Sequence, residues 1–123
     1  NYILTVNYYD AYGRVLEIIT DNGLNGKDII SDSLNFAGEK IKSKHVHTVP
    51  GNDDITIEYR YAYDHAGRLL KTDEKLNNTA WQSVIELEYN EKGELRSKKL
   101  HKGTNNIFLQ EINYQYNYPY EIP

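Results

Sequence analysis

The chain has 123 residues, a net charge of -4 at pH 7 and a mean hydropathy of -0.74, with acids and bases interspersed. This balance leaves no long apolar run to span a membrane, and it lacks the basic patch that nucleic acid would require. With no cysteine, a disulfide scaffold and a thiolate metal site are both excluded, and the redox compartment stays open. Twelve Tyr against two Phe is the unusual ratio, and it favours strands and amphipathic surfaces over helices.

The sequence opens directly in patterned residues, Tyr2 to Val6, with no signal-peptide pattern ahead of them. A first strand is expected over Ile3–Tyr9. It runs into Asp10-Ala11-Tyr12-Gly13-Arg14, and a second apolar stretch, Val15 to Ile19, follows. The same grammar returns at Asn35-Phe36-Ala37-Gly38-Glu39, at Asp64-His65-Ala66-Gly67-Arg68 and at Asn90-Glu91-Lys92-Gly93-Glu94. A fifth copy begins at Tyr114-Gln115-Tyr116-Asn117 and then departs, with Tyr118-Pro119-Tyr120 where glycine is due. The Asx positions 10, 35, 64, 90 and 117 are separated by 25, 29, 26 and 27 residues, the spacing of a structural repeat.

Each copy has a mechanical meaning. Asp or Asn at the first turn position with Gly three residues on marks a type I turn, closed through a glycine in the left-handed region. Hairpin tips are therefore expected at 10–13, 35–38, 64–67 and 90–93. Ahead of the turns the pattern has period two: Ile55, Ile57, Tyr59, Tyr61 and Tyr63 share one face, and Ile85, Leu87 and Tyr89 do the same. Such alternation predicts strands half buried against one core, with the tyrosines stacked in it as a ladder. Trp81 falls in phase with Ile85, Leu87 and Tyr89 and is assigned to the same core. The links at 21–23, 50–53, 75–78 and 102–106 are polar and turn-rich, and Lys71 to Thr79 could form one short turn of helix. The fold class is all-β: one antiparallel twisted sheet of consecutive hairpins, a single repeat domain over 1–123.

The copies also differ in a correlated way. Asp10 and Asp64 are followed after the glycine by Arg14 and Arg68, whereas Asn35 and Asn90 are followed by Glu39 and Glu94. An acid facing Glu across the hairpin mouth would be repelled, so the Asp occurs where a cation sits opposite.

Tyr61-Ala62-Tyr63-Asp64-His65-Ala66-Gly67-Arg68-Leu69-Leu70 resembles the consensus of the YD-repeat, or RHS-repeat, family, Tyr-x-Tyr-Asp-x-x-Gly-Arg-Leu. Tyr9–Leu16 and Tyr89–Leu95 look like weaker copies, and Leu34–Ile41 like a decayed one. The resemblance implies antiparallel hairpins joined edge to edge in a spiralling sheet. In bacterial members this sheet forms a shell around a toxic C-terminal domain; animal relatives use it in adhesion, and carbohydrate binding has been attributed to some. It also implies a secreted or cell-surface protein whose partners are the neighbouring repeats of a larger parent. Four to five copies are too few to enclose a cavity, so the chain looks like a fragment or a short array.

Little else points to chemistry. His45 and His47 would share a strand face and could ligate a metal with Asp53 or Asp54, but Lys42 and Lys44 are expected to flank them and repel a cation. Gly51-Asn52-Asp53-Asp54 resembles only half a calcium loop. His65 aligns with Ala11, Phe36 and Glu91, which marks an exposed turn position. No catalytic or cofactor fingerprint occurs, so no catalytic residue, cofactor or metal is assigned and an enzyme is not expected. The structural turn residues are Asp10, Gly13, Arg14, Asn35, Gly38, Asp64, Gly67, Arg68, Asn90 and Gly93. Trp81, Tyr12, Tyr118 and Tyr120 are the candidate glycan contacts. The leading expectation is an architectural repeat segment; a glycan-binding or adhesion module is the alternative, and a metal-dependent enzyme a third reading. Unpaired terminal strands, Ile3–Tyr9 and Ile112–Asn117, are expected to favour edge-to-edge self-association.

Overall fold

The computed structural model describes residues 3–103 and 105–117. Nine strands follow one another: β1 (Thr5–Tyr9), β2 (Val15–Asp21), β3 (Lys27–Leu34), β4 (Lys40–His47), β5 (Ile55–Tyr63), β6 (Leu69–Leu76), β7 (Gln82–Tyr89), β8 (Leu95–Lys102) and β9 (Phe108–Asn113). They form one open antiparallel sheet whose spatial order is the chain order, so every connection is a hairpin and none crosses over. The described residues contain no helix. Lys71–Leu76 is strand β6, not a helical turn: its alternation of Thr72 and Glu74 with Lys71, Asp73 and Lys75 serves the sheet period, and its backbone pairs on both sides. The last strand lies earlier than expected, at Phe108–Asn113, because its register with β8 is set by Leu100 opposite Gln110 and Lys98 opposite Ile112.

Two sets of turns border the sheet. On one edge Asp10, Asn35, Asp64 and Asn90 each close a loop by backbone bonds in both directions, for example Gly67 N–H to the Asp64 carbonyl and Asp64 N–H to the Arg68 carbonyl, both 3.0 Å. Each turn is followed by a bulge in the hairpin register, at Tyr8/Tyr9, Ser33/Leu34, Ala62/Tyr63 and Glu88/Tyr89. On the opposite edge asparagine takes over the left-handed position, with φ of 61° at Asn25 and 62° at Asn106, while Pro50-Gly51 makes a type II turn (Gly51 φ 83°). Asn tolerates this region because its short polar side chain bonds locally.

The expected core is absent among the described residues: no hydrophobic side chain is fully buried, and the buried residues are Ser43, Thr72, Asp73, Ser83 and Ser97. The reason is architectural. A single layer has no second layer to cover it, so each side chain is shielded only by its neighbours on the same face. One face carries Ile18, Ile30, His45, Ile57 and Leu76 in one cross-strand row, with Tyr59, Tyr61, Tyr63, Ile85, Leu87 and Tyr89 beside it. We call this the tyrosine face. The other face alternates charge from strand to strand: Lys44, Glu58, Lys75 in one row and Lys71, Glu86, Lys99, Glu111 in another. Ion pairs of 2.7 Å (Arg60–Asp73) and 3.5 Å (Lys75–Glu58, Lys99–Glu88) run across it. Opposite charges directly across strands favour this register over a slip of one residue, which would move every side chain to the other face.

Trp81 is not in phase with Ile85, Leu87 and Tyr89. Ile85 stands opposite Thr72 and Ser83 opposite Asp73, leaving Val84 as an extra residue. That bulge inverts the alternation. Trp81 therefore lies on the charged face, with the Arg60 guanidinium 4.3 Å and the Lys75 ammonium 5.6 Å from its ring centre.

Candidate functional site

The glycine-bearing turn edge holds most of the specific side-chain chemistry. In every turn one side-chain oxygen of the Asx residue accepts two backbone N–H bonds, from the second and fourth residues after it. At Asp64 these come from Ala66 and Arg68, both 2.9 Å; at Asn90 they come from Lys92 at 3.0 Å and Glu94 at 2.9 Å. The second atom of the Asx head then selects the residue opposite. The free carboxylate oxygens of Asp10 and Asp64 each take the Nε of Arg14 and Arg68 at 2.6 Å. The amide nitrogens of Asn35 and Asn90 instead donate to Glu39 at 3.0 Å and Glu94 at 3.4 Å. The correlated pairs in the sequence are thus donor–acceptor pairs of reversed polarity on one backbone frame. The backbone amide of residue 14 is the largest influence holding the Asp10 carboxyl below its ordinary value, with the guanidinium adding to it; Arg68 acts in the same way on Asp64.

The same residues join one turn to the next. Arg14 lies over Gly38, Glu39 over Gly67 and Arg68 over Gly93, at 3.5, 3.3 and 3.0 Å from where a Cβ would stand. A second link repeats with the same period. The tyrosine just before the Asx of one unit donates its hydroxyl to a backbone carbonyl of the preceding unit: Tyr63 to Lys40 at 2.8 Å, Tyr89 to Leu69 at 2.7 Å, and Tyr116 to Leu95 at 2.6 Å. Each acceptor lies five residues after its own Asx, beyond the last inter-unit register pair (Lys42–Arg60, Lys71–Glu86, Ser97–Asn113). At the first two of these joints the hydroxyl takes over where the strand pairing ends; at the third, one more backbone bond, Tyr114 N–H to the Arg96 carbonyl at 3.0 Å, comes before it. The Arg68 guanidinium covers the Tyr89 ring at 4.6 Å.

The sequence period located these tyrosines but assigned them to a core. Instead Tyr63 and Tyr89 are half-buried clasps between units and Tyr116 an exposed one, while Tyr114 is exposed as well. A hydroxyl reaching back one repeat is invisible to face assignment; the signal that could have found it is a Tyr immediately before four of the five Asx residues, at positions 9, 63, 89 and 116. Tyr12 stands out from its turn, 84 % exposed, with Arg14 5.2 Å from its ring centre. Tyr118 and Tyr120 lie outside the described residues.

His45 and His47 do share a face, but Lys42 and Lys44 point to the other one, because the alternation separates odd from even positions on β4. The histidines are engaged separately: His47 Nδ1 with Asp28 at 2.5 Å, and His45 Nε2 with the Ser43 hydroxyl at 3.0 Å, the imidazole edge-on to Tyr59. The His47 contact is the main influence lowering the Asp28 carboxyl. Among the described residues no three His, Asp or Glu side chains come together to hold a metal ion. No described helix is long and apolar enough to cross a membrane. No protein-family model matches the chain, and a search of curated proteins finds no significant match.

Proposed function

We propose that this chain is a non-enzymatic structural segment of a larger secreted or surface-exposed bacterial YD/RHS-repeat protein, part of a β-sheet shell or stalk associated with a toxin domain. The observation that carries this reading is the repetition of one inter-unit joint, and the presence of the same groups unfilled on β1. Tyr9 occupies the clasp position, yet among the described residues its hydroxyl meets only the Asn7 amide at 3.5 Å, and none of them lies within 4 Å of where a Cβ on Gly13 would stand. Both groups suit a further hairpin pairing with β1. Its turn would carry a long side chain over Gly13, and its carbonyl would receive the Tyr9 hydroxyl. The test is to place a copy of residues 82–107 directly ahead of Asn1, which restores the 27-residue spacing between Tyr89 and Tyr116. In a repeat array each added unit contributes its own interface, so the extended chain should melt higher. An unchanged or lower Tm would overturn the reading.

A second reading rests on the exposed ring of Tyr12 and on Trp81 with its two cations: a carbohydrate-binding or adhesion module, in which rings stack on sugar C–H faces. A glycan array with the parent chain and the Trp81→Ala and Tyr12→Ala variants decides it. Binding that either variant abolishes favours adhesion; no binding across the array overturns it.

A further inference from the structure

Spread over one layer, the chain keeps far more surface in water than its mass requires. Its accessible surface is 9460 Å², whereas a compact monomer of 14.3 kDa exposes about 6,800 Å². The surplus of about 2,700 Å² is larger than the roughly 1,200–2,000 Å² that a stable protein–protein contact removes from water. It resides in the two faces of the sheet. Eight spacings of about 4.8 Å and strands of about eight residues give each face roughly 1,000 Å². Further hairpins joined at β1 would widen the sheet and leave both faces as open as before. The two faces are not equivalent. Covering the charged one would desolvate the Arg60–Asp73, Lys75–Glu58 and Lys99–Glu88 pairs together. The tyrosine face has apolar rows through Ile30, Ile57 and Leu76 and through Tyr61, Ile85 and Leu100.

We infer that the tyrosine face is the interface of a homodimer, in which two copies of this chain pack face to face as the layers of a β-sandwich. A second copy supplies the layer that the apolar rows lack, with the same dimensions and the same twist. Sheets packed in this way lie about 10 Å apart with their strands within about 30° of each other, and a twofold axis between them sets one patch against itself. Covering the face in both copies removes about 2,000 Å² in all, the upper end of a standard interface. The polar groups of the face are prepared for it. Asp28 is engaged by His47, and Asp32 takes the Ser43 hydroxyl at 2.5 Å and the Lys40 ammonium at 3.1 Å. The hydroxyls of Tyr63 and Tyr89 are already spent on backbone carbonyls. Glu74 and Lys98, which have no ion partner among the described residues, are of opposite sign, so two copies meet without a field of one sign between them.

Sedimentation velocity and small-angle X-ray scattering of the intact chain over a concentration series test this. A reversible dimer is expected, with a dissociation constant that is micromolar or tighter. Face packing thickens the particle without widening it, so its longest dimension should stay near the monomer's; joining at β1 or β9 would roughly double the width of the sheet. Ile55→Lys and Leu76→Lys each put a charge on the tyrosine face at a side chain that is 47 % and 46 % exposed, respectively, so the monomer should keep its far-UV circular dichroism. Each should weaken the dimer by about tenfold or more, because the ammonium has no partner once water leaves. Tyr8→Lys with Leu109→Lys, which charges the two outer strands instead, should leave the dissociation constant unchanged. A parent chain that stays monomeric at the highest concentration reached would overturn the inference. So would a dimer of nearly doubled length, a dimer as tight in both face variants as in the parent, or an equal loss in the outer-strand variant. The scattering shape of the parent decides between face and edge even if one of the variants folds poorly.

Discussion

The hydroxyl of Tyr89 donates to the carbonyl of Leu69 across 2.7 Å, joining the first strand of one repeat to the second strand of the repeat before it. The bond occupies the level at which the β6–β7 ladder has already ended, its last pair being Lys71–Glu86. Tyr89→Phe removes one hydrogen bond and leaves the ring under Arg68. A loss of about 0.5–1.5 kcal/mol is expected, against almost none for Tyr9→Phe, whose hydroxyl has, among the described residues, only a 3.5 Å contact with Asn7. Chemical denaturation of the two variants checks it; equal losses would deny the clasp.

Gly67 is the most restrictive position in the central turn. Its φ is +79°, and a Cβ there would stand 3.3 Å from the Glu39 carboxylate. The left-handed conformation alone costs an ordinary residue roughly 1–2 kcal/mol, and a β-branched side chain fares worse. Gly67→Val should therefore lower stability by about 2 kcal/mol or more, while His45→Gln with His47→Gln, which exchanges two half-exposed hydrogen-bonding rings for amides, should cost less. A thermal melt that ranks them the other way, or a Tm of the parent raised by zinc, would contradict the scaffold reading.

Reversing one turn's polarity tests the pairing of Asx with the residue opposite. Arg68→Glu puts two carboxylates together at Asp64 and should lower Tm most. Asp64→Asn alone sets an amide donor against a guanidinium and should lower it less. The double variant reproduces the Asn35–Glu39 arrangement and should recover much of the loss, short of the full value because Arg68 also covers Tyr89. Additive losses in the double variant would refute the complementarity.

Acid should weaken the turns at Asp10 and Asp64 and the cross-strand contact of Asp28 with His47. The carboxyls of Asp10, Asp28 and Asp64 titrate below the ordinary value when folded. A depressed folded pKa means that the unfolded chain takes up its protons first. The stabilisation is complete above the unfolded value of about 3.9 and is lost as pH falls through the folded values. Tm measured from pH 6 to pH 2 should be flat at first and then fall below about pH 4. In Asp10→Asn with Asp64→Asn the fall should be shallower, from a lower starting point.

How far the sequence reveals this molecule depends on which interactions are local. The turns at Asp10, Asn35, Asp64 and Asn90 are written within five residues, and the strands before them follow a period of two, so both were legible. The reciprocal Asp–Arg and Asn–Glu pairs were legible as well, since both partners lie in one turn. Trp81 was misplaced because the bulge at Val84 inverts the alternation and leaves no mark in the residue types. The tyrosine clasps were hidden for another reason: their acceptors are backbone carbonyls, which every residue has. Lys71–Thr79 read ambiguously because a charged strand in a layer wet on both sides lacks the apolar alternation that would identify it.

The spatial order of the strands, identical to their order along the chain, has a mechanical consequence. β1 and β9 form the two outer margins, so tension applied between them pulls across the strands and along the hydrogen bonds. Bonds in that orientation rupture in succession rather than together. Under load the sheet should peel hairpin by hairpin at low force, lengthening in steps of about one repeat, and refold in the same increments when the load is released. A filament of such units would yield like a pleated ribbon being drawn open, and each Tyr–carbonyl clasp would serve as the catch that sets where one step ends and the next begins.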